Sequence, residues 1–493
     1  MIVTINNFGP VRSFTIDLDK DFHLLVGKNN IGKSYAITAV YLIIKAFNEI
    51  DDDRALYGFS PFYFSENADI KDANVKEIID SGSKLRQREE ENITQHIKNM
   101  LIANFEKHFT LQLQNSFINT FNSLDSLRNR YNTENPTFSI QSTDTTLEFE
   151  VNENRINLVN MDMSTSYYIK KSKHNRSPLT KEDKTTLYFT EGKTKDFLQT
   201  LIIECLFKRN YHFINSFNSK VKTVHYLPAS RSGLYQALSA FGQIIAELSK
   251  NRSFLSKKIE LPGISEPVSD YFIRLSDIKV RKRSYEDKAI NSIAQEIEDT
   301  ILNGKVEFNS QTKQLMFHPN DTDLKLELSS TSSMVSELAP IVSYLRYVLT
   351  ETQKQNTYYR PFALRKRTSS NDSKPSHLIM IEEPEAHLHP EIQLLLTEIF
   401  AKLVKANVKL IISSHSNFIF NKVNNLIMKG DFKVKQVSSG VFKSTKTGSV
   451  ICPLEIDELG MEDDNFGDPT STLFEEKMEI IDEINNSLEN RNQ

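Results

Sequence analysis

Near its start the chain reads Gly27-Lys28-Asn29-Asn30-Ile31-Gly32-Lys33-Ser34, which fits the pattern G-x-x-x-x-G-K-[ST] of a phosphate-binding loop. In such a loop, the glycines let backbone N–H groups surround a phosphate, the lysine reaches the outer phosphates and the hydroxyl holds Mg²⁺. The chain has only 15 glycines in 493 residues, so this spacing is hard to reach by chance. The stretch therefore predicts a nucleotide site, and the alternative is a glycine turn that binds nothing.

The segments on either side of the loop support this prediction. Residues 22–26 form a short apolar run, typical of a buried strand. Residues 35–47 have no glycine or proline and carry apolar residues at helical spacing. A helix that begins here directs its N-terminal N–H groups and its dipole at a bound anion. We therefore include Tyr35, at the start of this helix, with residues 27–34 in the predicted nucleotide-binding set.

The composition is that of a globular protein with more than one hydrophobic core. At 493 residues we expect two or three subdomains, and 39% hydrophobic with 25% charged residues fits this class. The net charge of −4 argues against a uniformly basic coat for nucleic acid, although not against a local basic groove. Cys205 and Cys452 lack the spacing of metal ligands, so we expect reduced thiols. No apolar run approaches the roughly 20 residues that cross a bilayer, and we expect a cytoplasmic protein without a membrane partner.

In the rest of the chain, strand-like and helix-like hydrophobic patterns follow one another several times. Alternating apolar and polar positions predict strands, and longer periodic segments predict helices. The predicted strands are 2–5, 14–18, 138–140, 147–151, 156–159, 221–227, 306–308, 315–318 and 324–328. The predicted helical regions are 69–127, 195–218 and 335–349, with more helix between 228 and 302.

A second apolar strand ends in paired carboxylates. Residues 377–381 are followed by Glu382-Glu383-Pro384-Glu385, and an ATPase needs such acids opposite its phosphate loop. One acid holds Mg²⁺ and the next polarises the attacking water, so we assign Glu382 (with Ser34) to the metal and Glu383 to general-base catalysis. The alternative is an acidic strand end at a surface turn. Pro390 suits the first helical position, and the apolar residues that follow predict the buried face of this helix. These residues are Ile392, Leu395, Leu396, Ile399 and Leu403.

The next apolar run, residues 408–412, predicts a buried strand that ends in Ser413-Ser414-His415-Ser416. A histidine at such a strand end can donate a hydrogen bond to the γ-phosphate. We therefore predict that His415 is a catalytic residue that senses the nucleotide, and the alternative is an ordinary surface or core histidine.

Together these motifs resemble the ABC-type ATPases of the RecF/SMC and overcoming-lysogenisation-defect group. The opening Ile5-Asn6-Asn7-Phe8-Gly9-Pro10 resembles the first strand of that group. Residues 27–34, 382–385 and His415 are similar to its Walker A, Walker B with D-loop and switch-histidine elements. The resemblance covers roughly residues 1–50 and 325–430. It is nearest to the ATPase subunits of antiphage systems such as Septu and PARIS.

The resemblance implies ATP and Mg²⁺ as cofactors and a signature segment that caps the γ-phosphate of a second copy in a head-to-tail dimer. Residues 328–338, a hydroxyl-rich loop that opens a helix, are similar to this segment, with Ser332 and Ser333 as the contacts in trans. The alternative is a serine-rich helix cap with no further role. The sequence departs from the pattern of this family at two positions. Met334 stands where the family usually has glycine, and Glu382 stands where it usually has aspartate. Arg231, in a turn after residues 221–227, is either a phosphate or interface residue or a structural one.

The loop and its acids are 350 residues apart (383 − 33), so we predict an α/β head with a mixed sheet, assembled from both chain ends around a mainly helical insertion. We predict five segments along the chain. They are 1–50 (head with phosphate loop), 51–220 (insertion with an antiparallel strand patch), 221–320 (helical lobe and hairpin), 321–455 (head with signature, acids and His415) and 456–493 (acidic loop and C-terminal helix).

Only 78 residues follow His415 (493 − 415), which is too few for the nuclease domain of the overcoming-lysogenisation-defect proteins. We therefore expect an ATPase that forms a homodimer or higher homo-oligomer and controls a separate nuclease or toxin in antiphage defence. The alternative is a RecF-like repair ATPase acting on DNA ends, and the basic segments 281–283 and 365–367 leave contact with nucleic acid open. A transporter motor is disfavoured by the long insertion. An apolar stripe in 470–488 predicts either core or a docking face.

Overall fold

The computed structural model describes residues 1–49, 73–87, 89–237, 263–278, 288–349, 376–462, 472–482 and 484. The strands in these residues are β1 (Ile2–Phe8), β2 (Val11–Asp17), β3 (Phe22–Gly27), β4 (Glu90–Asn92), β5 (Thr137–Gln141), β6 (Thr145–Val151), β7 (Ile156–Met163), β8 (Ser166–Lys171), β9 (Leu179–Lys181), β10 (Lys184–Phe189), β11 (Val221–Leu227), β12 (Gly304–Asn309), β13 (Gln314–Pro319), β14 (Leu326–Glu327), β15 (Ser376–Glu382), β16 (Val408–Ser414), β17 (Val437–Thr445), β18 (Gly448–Pro453), β19 (Ile456–Asp457) and β20 (Gly460–Met461).

The α-helices are α1 (Lys33–Glu49), α2 (Ala73–Lys84), α3 (Thr94–Phe105), α4 (Leu111–Phe121), α5 (Thr194–Leu201), α6 (Lys208–Asn218), α7 (Glu266–Ser276), α8 (Lys288–Ile297), α9 (Ser333–Ser343), α10 (Pro390–Lys405), α11 (Asn417–Met428) and α12 (472–482). Single π-helical turns extend several of them, at Glu106–Thr110, Ile202–Phe207, Glu298–Leu302 and Tyr344–Val348. None of the helices in the described ranges combines the length and apolar character that crossing a bilayer requires.

The largest sheet joins eleven strands in the order β11-β15-β16-β3-β17-β18-β2-β1-β5-β6-β7. From β11 to β17 all neighbours are parallel, and from β17 to β7 they are antiparallel except where β18 meets β2. β3, from the start of the chain, lies between β16 and β17, from its last quarter. The predicted mixed sheet, assembled from both ends of the chain and flanked by helices, is confirmed.

The parallel strands are buried on both faces, and their side chains alternate between two cores because the period of a strand is two. In β3, Phe22, Leu24 and Val26 belong to the core that also contains α10 and α11 side chains. Leu25 points to the other face and joins the core formed with α1 and the helices of the 73–217 region. The run at residues 22–26, apolar except for the buried His23, is therefore what a central parallel strand requires.

The predicted antiparallel patch is formed by β5, β6 and β7, and β5 pairs with β1. The patch therefore extends the main sheet. The same region contributes a second sheet, β4-β8-β10-β9. The predicted hairpin is β12 with β13, whereas the strand predicted over 324–328 is reduced to β14 because residues 328–330 form a 3-10 turn.

The predicted buried face of α10 is wrong at Leu395, which is 37% exposed. The buried face instead includes the polar residues Gln393 and Thr397 beside Leu396 and Phe400. Gln393 is accommodated because its Nε2 donates a 2.9 Å hydrogen bond to the carbonyl of Leu388. The basic segments 281–283 and 365–367 and residues 463–468 of the predicted acidic loop lie outside the described residues. The five-segment division of the chain stays a prediction.

Candidate active site

Three neighbouring parallel strands, β15, β16 and β3, end at the same edge of the sheet. Their register pairs Glu382 with Ser413, and Ser414 with Val26. Because adjacent strands are about 4.8 Å apart, the strand of Glu382 and the strand of Gly27 are separated by roughly 10 Å. The acids, His415 and the glycine-rich loop are thereby brought to one edge, although they come from opposite ends of the chain.

The loop backbone requires glycine at two places. Gly27 and Gly32 have φ values of 146° and 99°, which side chains rarely adopt. A Cβ at Gly32 would also lie 2.9 Å from Cγ of Pro10. Helix α1 begins at Lys33, so its free N–H groups face the loop, and the side chains of Lys28, Asn29, Asn30 and Ser34 are exposed. The loop has the open, N–H-lined form that an anion can enter.

Lys33 is buried at the base of this loop. Its Nζ donates to the carbonyls of Gly27 and Lys28, at 2.9 Å in each case. Burial lowers the pKa of Lys33 to about 8, against the opposing charges of Glu383, Glu385 and Glu382. The ammonium therefore stays charged at pH 7 and is held by two carbonyl groups that a phosphate can replace.

Glu382 is 7% exposed and lies at the end of β15. Burial raises its pKa, while the hydroxyls of Ser34 and Tyr226 and the N–H of Ala229 act in the opposite direction. In the part of the chain that the structure describes, its Oε1 is buried without a hydrogen-bond partner. A buried carboxylate oxygen beside a hydroxyl is a donor set that Mg²⁺ prefers. The described residues hold no cluster of three or more His, Cys, Asp or Glu that could bind a metal, so phosphate and water would complete this site.

Glu383 has a φ of 42°, an uncommon backbone conformation for a residue with a side chain. Its N–H donates to the carbonyl of Ser413 at 2.9 Å, and its side chain is 42% exposed. His415 Nε2 lies 3.8 Å from Glu383 Oε1. Burial and the charge of Lys33 lower the pKa of His415, against the opposing effects of Glu383 and the Gly27 carbonyl. The imidazole is therefore neutral at pH 7 and can donate one hydrogen bond.

Glu385 is a site residue to which sequence reasoning gave no role. Its Oε1 accepts a 2.6 Å hydrogen bond from the backbone N–H of His415, which fixes the turn after β16. Burial raises the pKa of its carboxyl group. Its place in the sequence, two residues after Glu383, is the signal from which this role could have been predicted.

Arg231 is fully buried. Its guanidinium donates to the carbonyls of Glu382 and Glu383, at 2.8 and 3.3 Å. Of the two alternatives for this residue, the structural one is favoured.

Two further predicted parts of the site lie at the start of α9 and in the first turn of α1. Ser332 is the N-cap of α9 and accepts a hydrogen bond from the N–H of Val335, and the side chains of Ser332 and Ser333 are exposed. The ring of Tyr35 packs against Phe121 at the end of α4, with centroids 4.6 Å apart, and its hydroxyl donates to the carbonyl of Ser126. Only the main chain of Tyr35 is therefore placed to meet a nucleotide.

One protein-family model, described as an AAA ATPase domain, matches residues 1–420. None of the curated proteins matches the chain. Among solved structures, the SMC head domain from Thermotoga maritima is 9% identical, with a TM-score of 0.33, and the alignment covers 92% of this chain and 98% of that one. A Smc head domain with an extended coiled coil, bound to the C-terminal domain of ScpA and derived from Pyrococcus furiosus, is 9% identical, with a TM-score of 0.35 and 98% of each chain covered.

Proposed function

This chain belongs to the AAA ATPase domain family and is an ATPase, and from this premise we propose that it is a regulatory one. It dimerises around ATP and controls a separate nuclease or toxin in antiphage defence. One observation carries the proposal: Lys33, Glu383 and His415 meet at one edge of the sheet, whereas the hydroxyls of Ser332 and Ser333 are exposed at the start of another helix.

The loop binds the phosphates of ATP. Backbone N–H groups of residues 27–34 surround the β-phosphate, and Lys33 exchanges the carbonyls of Gly27 and Lys28 for phosphate oxygens. Ser34 and Glu382 would hold Mg²⁺, which neutralises charge between the outer phosphates when it is bound. The buried Oε1 of Glu382 then gains the partner that it lacks among the described residues.

Hydrolysis uses the exposed carboxylate of Glu383. The water oxygen bonds to the γ-phosphorus as the bond to the ADP oxygen breaks, and Glu383 accepts the proton that the water loses. His415, neutral at pH 7, donates a hydrogen bond to a γ-phosphate oxygen. Loss of the γ-phosphate removes this contact, so His415 distinguishes ATP from ADP.

A second copy completes the site. The N-terminus of α9 carries free N–H groups and two exposed serine side chains, and this combination favours an anion. In a head-to-tail dimer, Ser332 and Ser333 of each copy cap the γ-phosphate held by the other. The interface then exists with ATP and relaxes after hydrolysis.

Helix α12 offers a surface for the effector. Its apolar side chains are 38% to 67% exposed, which favours docking over core for this stripe in the described residues. They are Leu473, Phe474, Met478, Ile480 and Ile481. By helical spacing the acids Glu475, Glu476, Glu479 and Asp482 share the opposite side. An apolar groove on the effector fits the apolar side of this helix, and the acidic side stays in contact with solvent.

The test is affinity purification of the Glu383→Gln variant with ATP, co-expressed with the neighbouring genes of its native locus. We expect a nuclease or toxin to co-purify, and to be lost when Leu473 and Ile480 are both changed to Ser. The matched control changes the acidic side of α12, at Glu475 and Glu479, to Gln. Tight binding of bare DNA ends, steeply weakened by salt and without a protein partner, would instead favour the RecF-like alternative.

A further inference from the structure

Arg231 is the largest fully buried side chain in the described residues, and it joins the end of β15 to helix α9. Four of its contacts go to main-chain carbonyls. Nη1 donates to Pro228 and Glu382, at 3.1 and 2.8 Å, Nη2 donates to Glu383 at 3.3 Å, and Nε donates to Glu337 at 3.4 Å. An ion pair adds a fifth contact, 3.2 Å from Nη2 to Oε2 of Glu337.

Only the guanidinium group of arginine can make these four hydrogen bonds to carbonyls together with the ion pair. Arginine has five N–H donors in a fixed planar fork, whereas lysine has three donors at a single point. A lysine at this position would leave buried carbonyls without donors, although it would keep the charge that pairs with Glu337. Arg231→Lys therefore removes the geometry of the contact and retains its charge.

The far end of the contact lies on α9. Glu337 is fully buried, and its Oε1 accepts from the N–H and the hydroxyl of Ser232, at 3.2 and 2.7 Å. Glu337 is four residues after Ser333, one turn along the same side of the helix. A movement of the start of α9 is therefore transmitted to the turn that carries Arg231.

The near end of the contact holds a strained residue. The positive φ of Glu383 persists because its neighbours hold it: Ser413 accepts from its N–H, and Arg231 donates to its carbonyl. Arg231 also holds the carbonyl of Glu382. The direction of the Glu383 side chain thus depends on a residue that never touches the nucleotide.

We propose that Arg231 is a positioning residue that sets Glu383 for hydrolysis and couples its placement to α9, the helix that Ser332 caps. The coupling to α9 rests on the proposed dimer, because only a second copy gives Ser332 and Ser333 a γ-phosphate to meet. Docking of α9 on the partner's nucleotide then acts, through Glu337 and Arg231, on the base of the same chain. The two sites of the dimer are linked in this way.

The test compares Arg231→Lys with Arg346→Lys. Arg346 makes a similar contact away from the site, donating from Nη1 to Glu298 Oε1 at 2.7 Å and to the carbonyl of Val306 at 3.0 Å. We expect kcat of Arg231→Lys to fall by about 10- to 100-fold with KM and ATP affinity unchanged, because the base is misplaced by a fraction of an ångström. Both variants should lower Tm by similar amounts, because each loses buried hydrogen bonds, and Arg346→Lys should leave kcat unchanged. Equal losses of kcat in the two variants, or a loss in ATP affinity alone, would overturn the positioning role.

A second variant and a second measurement keep the two proposals separate. Glu337→Gln keeps the shape of the buried side chain and removes its charge, and we expect it to lower kcat as well. This variant replaces Arg231→Lys in the comparison if Arg231→Lys does not fold. ATP-dependent dimerisation is measured by light scattering in Glu383→Gln. If that variant stays monomeric with ATP, the proposed dimer and the coupling to α9 both fail, while the kcat comparison still decides whether Arg231 positions Glu383. If the dimer forms but Glu337→Gln retains full kcat, the coupling alone is refuted.

Discussion

His415 Nε2 lies 3.8 Å from Glu383 Oε1, which is too long for a hydrogen bond between them. At this distance both side chains can contact the same oxygen atom of a water or phosphate placed between them. Because burial and the charge of Lys33 lower the pKa of His415, no proton from its ring neutralises Glu383 at pH 7. The carboxylate remains available to accept a proton from water, and the imidazole can exchange its contact with the Gly27 carbonyl for one with phosphate. The two residues therefore have different roles at one site.

Replacing Glu383 with Gln should reduce kcat by at least about 100-fold, because the amide cannot accept a proton from the attacking water. ATP binding should persist, and the variant should accumulate as an ATP-bound dimer in size-exclusion chromatography with light scattering. Glu391→Gln, on the exposed start of α10, is the control and should hydrolyse ATP normally. Rapid turnover by Glu383→Gln would show that another group is the base.

Replacing His415 with Ala should lower kcat about 10- to 100-fold, since one preorganised donor to the transferring phosphoryl group is lost. His415→Gln retains a donor and should recover part of this loss. Steady-state phosphate release measures both variants. Unchanged hydrolysis in His415→Ala would remove the nucleotide-sensing role.

Replacing Lys33 with Ala should abolish ATP binding or hydrolysis, because the charge at the outer phosphates is lost. Lys28→Ala is the matched control, since the exposed side chain of Lys28 lies in the same loop while only its carbonyl contacts Lys33. Fluorescent-ATP titration should give the control an affinity within about threefold of the unmodified protein. Similar losses in both variants would remove the special role of Lys33.

The pKa of Lys33, lowered to about 8 by burial, predicts that ATP affinity depends on pH. Below that value Lys33 is charged and binds phosphate. Above it the free protein has lost the proton and must take it up again, so affinity should fall by up to about tenfold per pH unit. Calorimetry at pH 9 in two buffers of different ionisation enthalpy should detect this uptake. Lys33→Arg, which stays charged, should show none.

Gly9 and Gly192 both have positive φ values, 51° and 75°, but their surroundings differ. A Cβ at Gly9 would lie 2.6 Å from Cζ of Tyr35, whereas no atom of the described residues lies within 4 Å of one at Gly192. Gly192→Ala should cost only backbone strain, about 1 kcal/mol, and Gly9→Ala about 2–4 kcal/mol, since the collision adds to the strain. Urea unfolding measures both. Equal costs would mean that Tyr35 moves freely.

Local patterns predicted the elements that carry the site, because these strands are buried on both faces. Residues 22–26 and 408–412 are fully apolar or nearly so, and a central parallel strand leaves no other place for such runs. The turn chemistry of residues 27–34 then placed the phosphate loop. Glu382 and Glu383 followed from their position after a third such strand.

Contacts between distant segments could not be predicted in this way. Nothing near Arg231 in the sequence indicates that its partners include Glu337, Glu382 and Glu383, because these come from other elements. The pairing of β5 with β1 is likewise a matter of register between remote strands. The prediction that Leu395 is buried was wrong because it rested on hydrophobicity alone. The polar Gln393 is buried instead, since its amide nitrogen donates a hydrogen bond to the carbonyl of Leu388 inside the protein.

The strand that leads into the phosphate loop is complete after 27 residues, but both of its neighbours, β16 and β17, come from residues beyond 407. During synthesis on the ribosome, both edges of β3 therefore stay unpaired with β16 and β17 until residues 408–445 have emerged, and such edges can associate with other nascent chains. A prematurely terminated product that lacks residues 437–445 has an incomplete sheet beside its loop. The phosphate loop therefore gains both of its flanking strands only after residues 408–445 have been made.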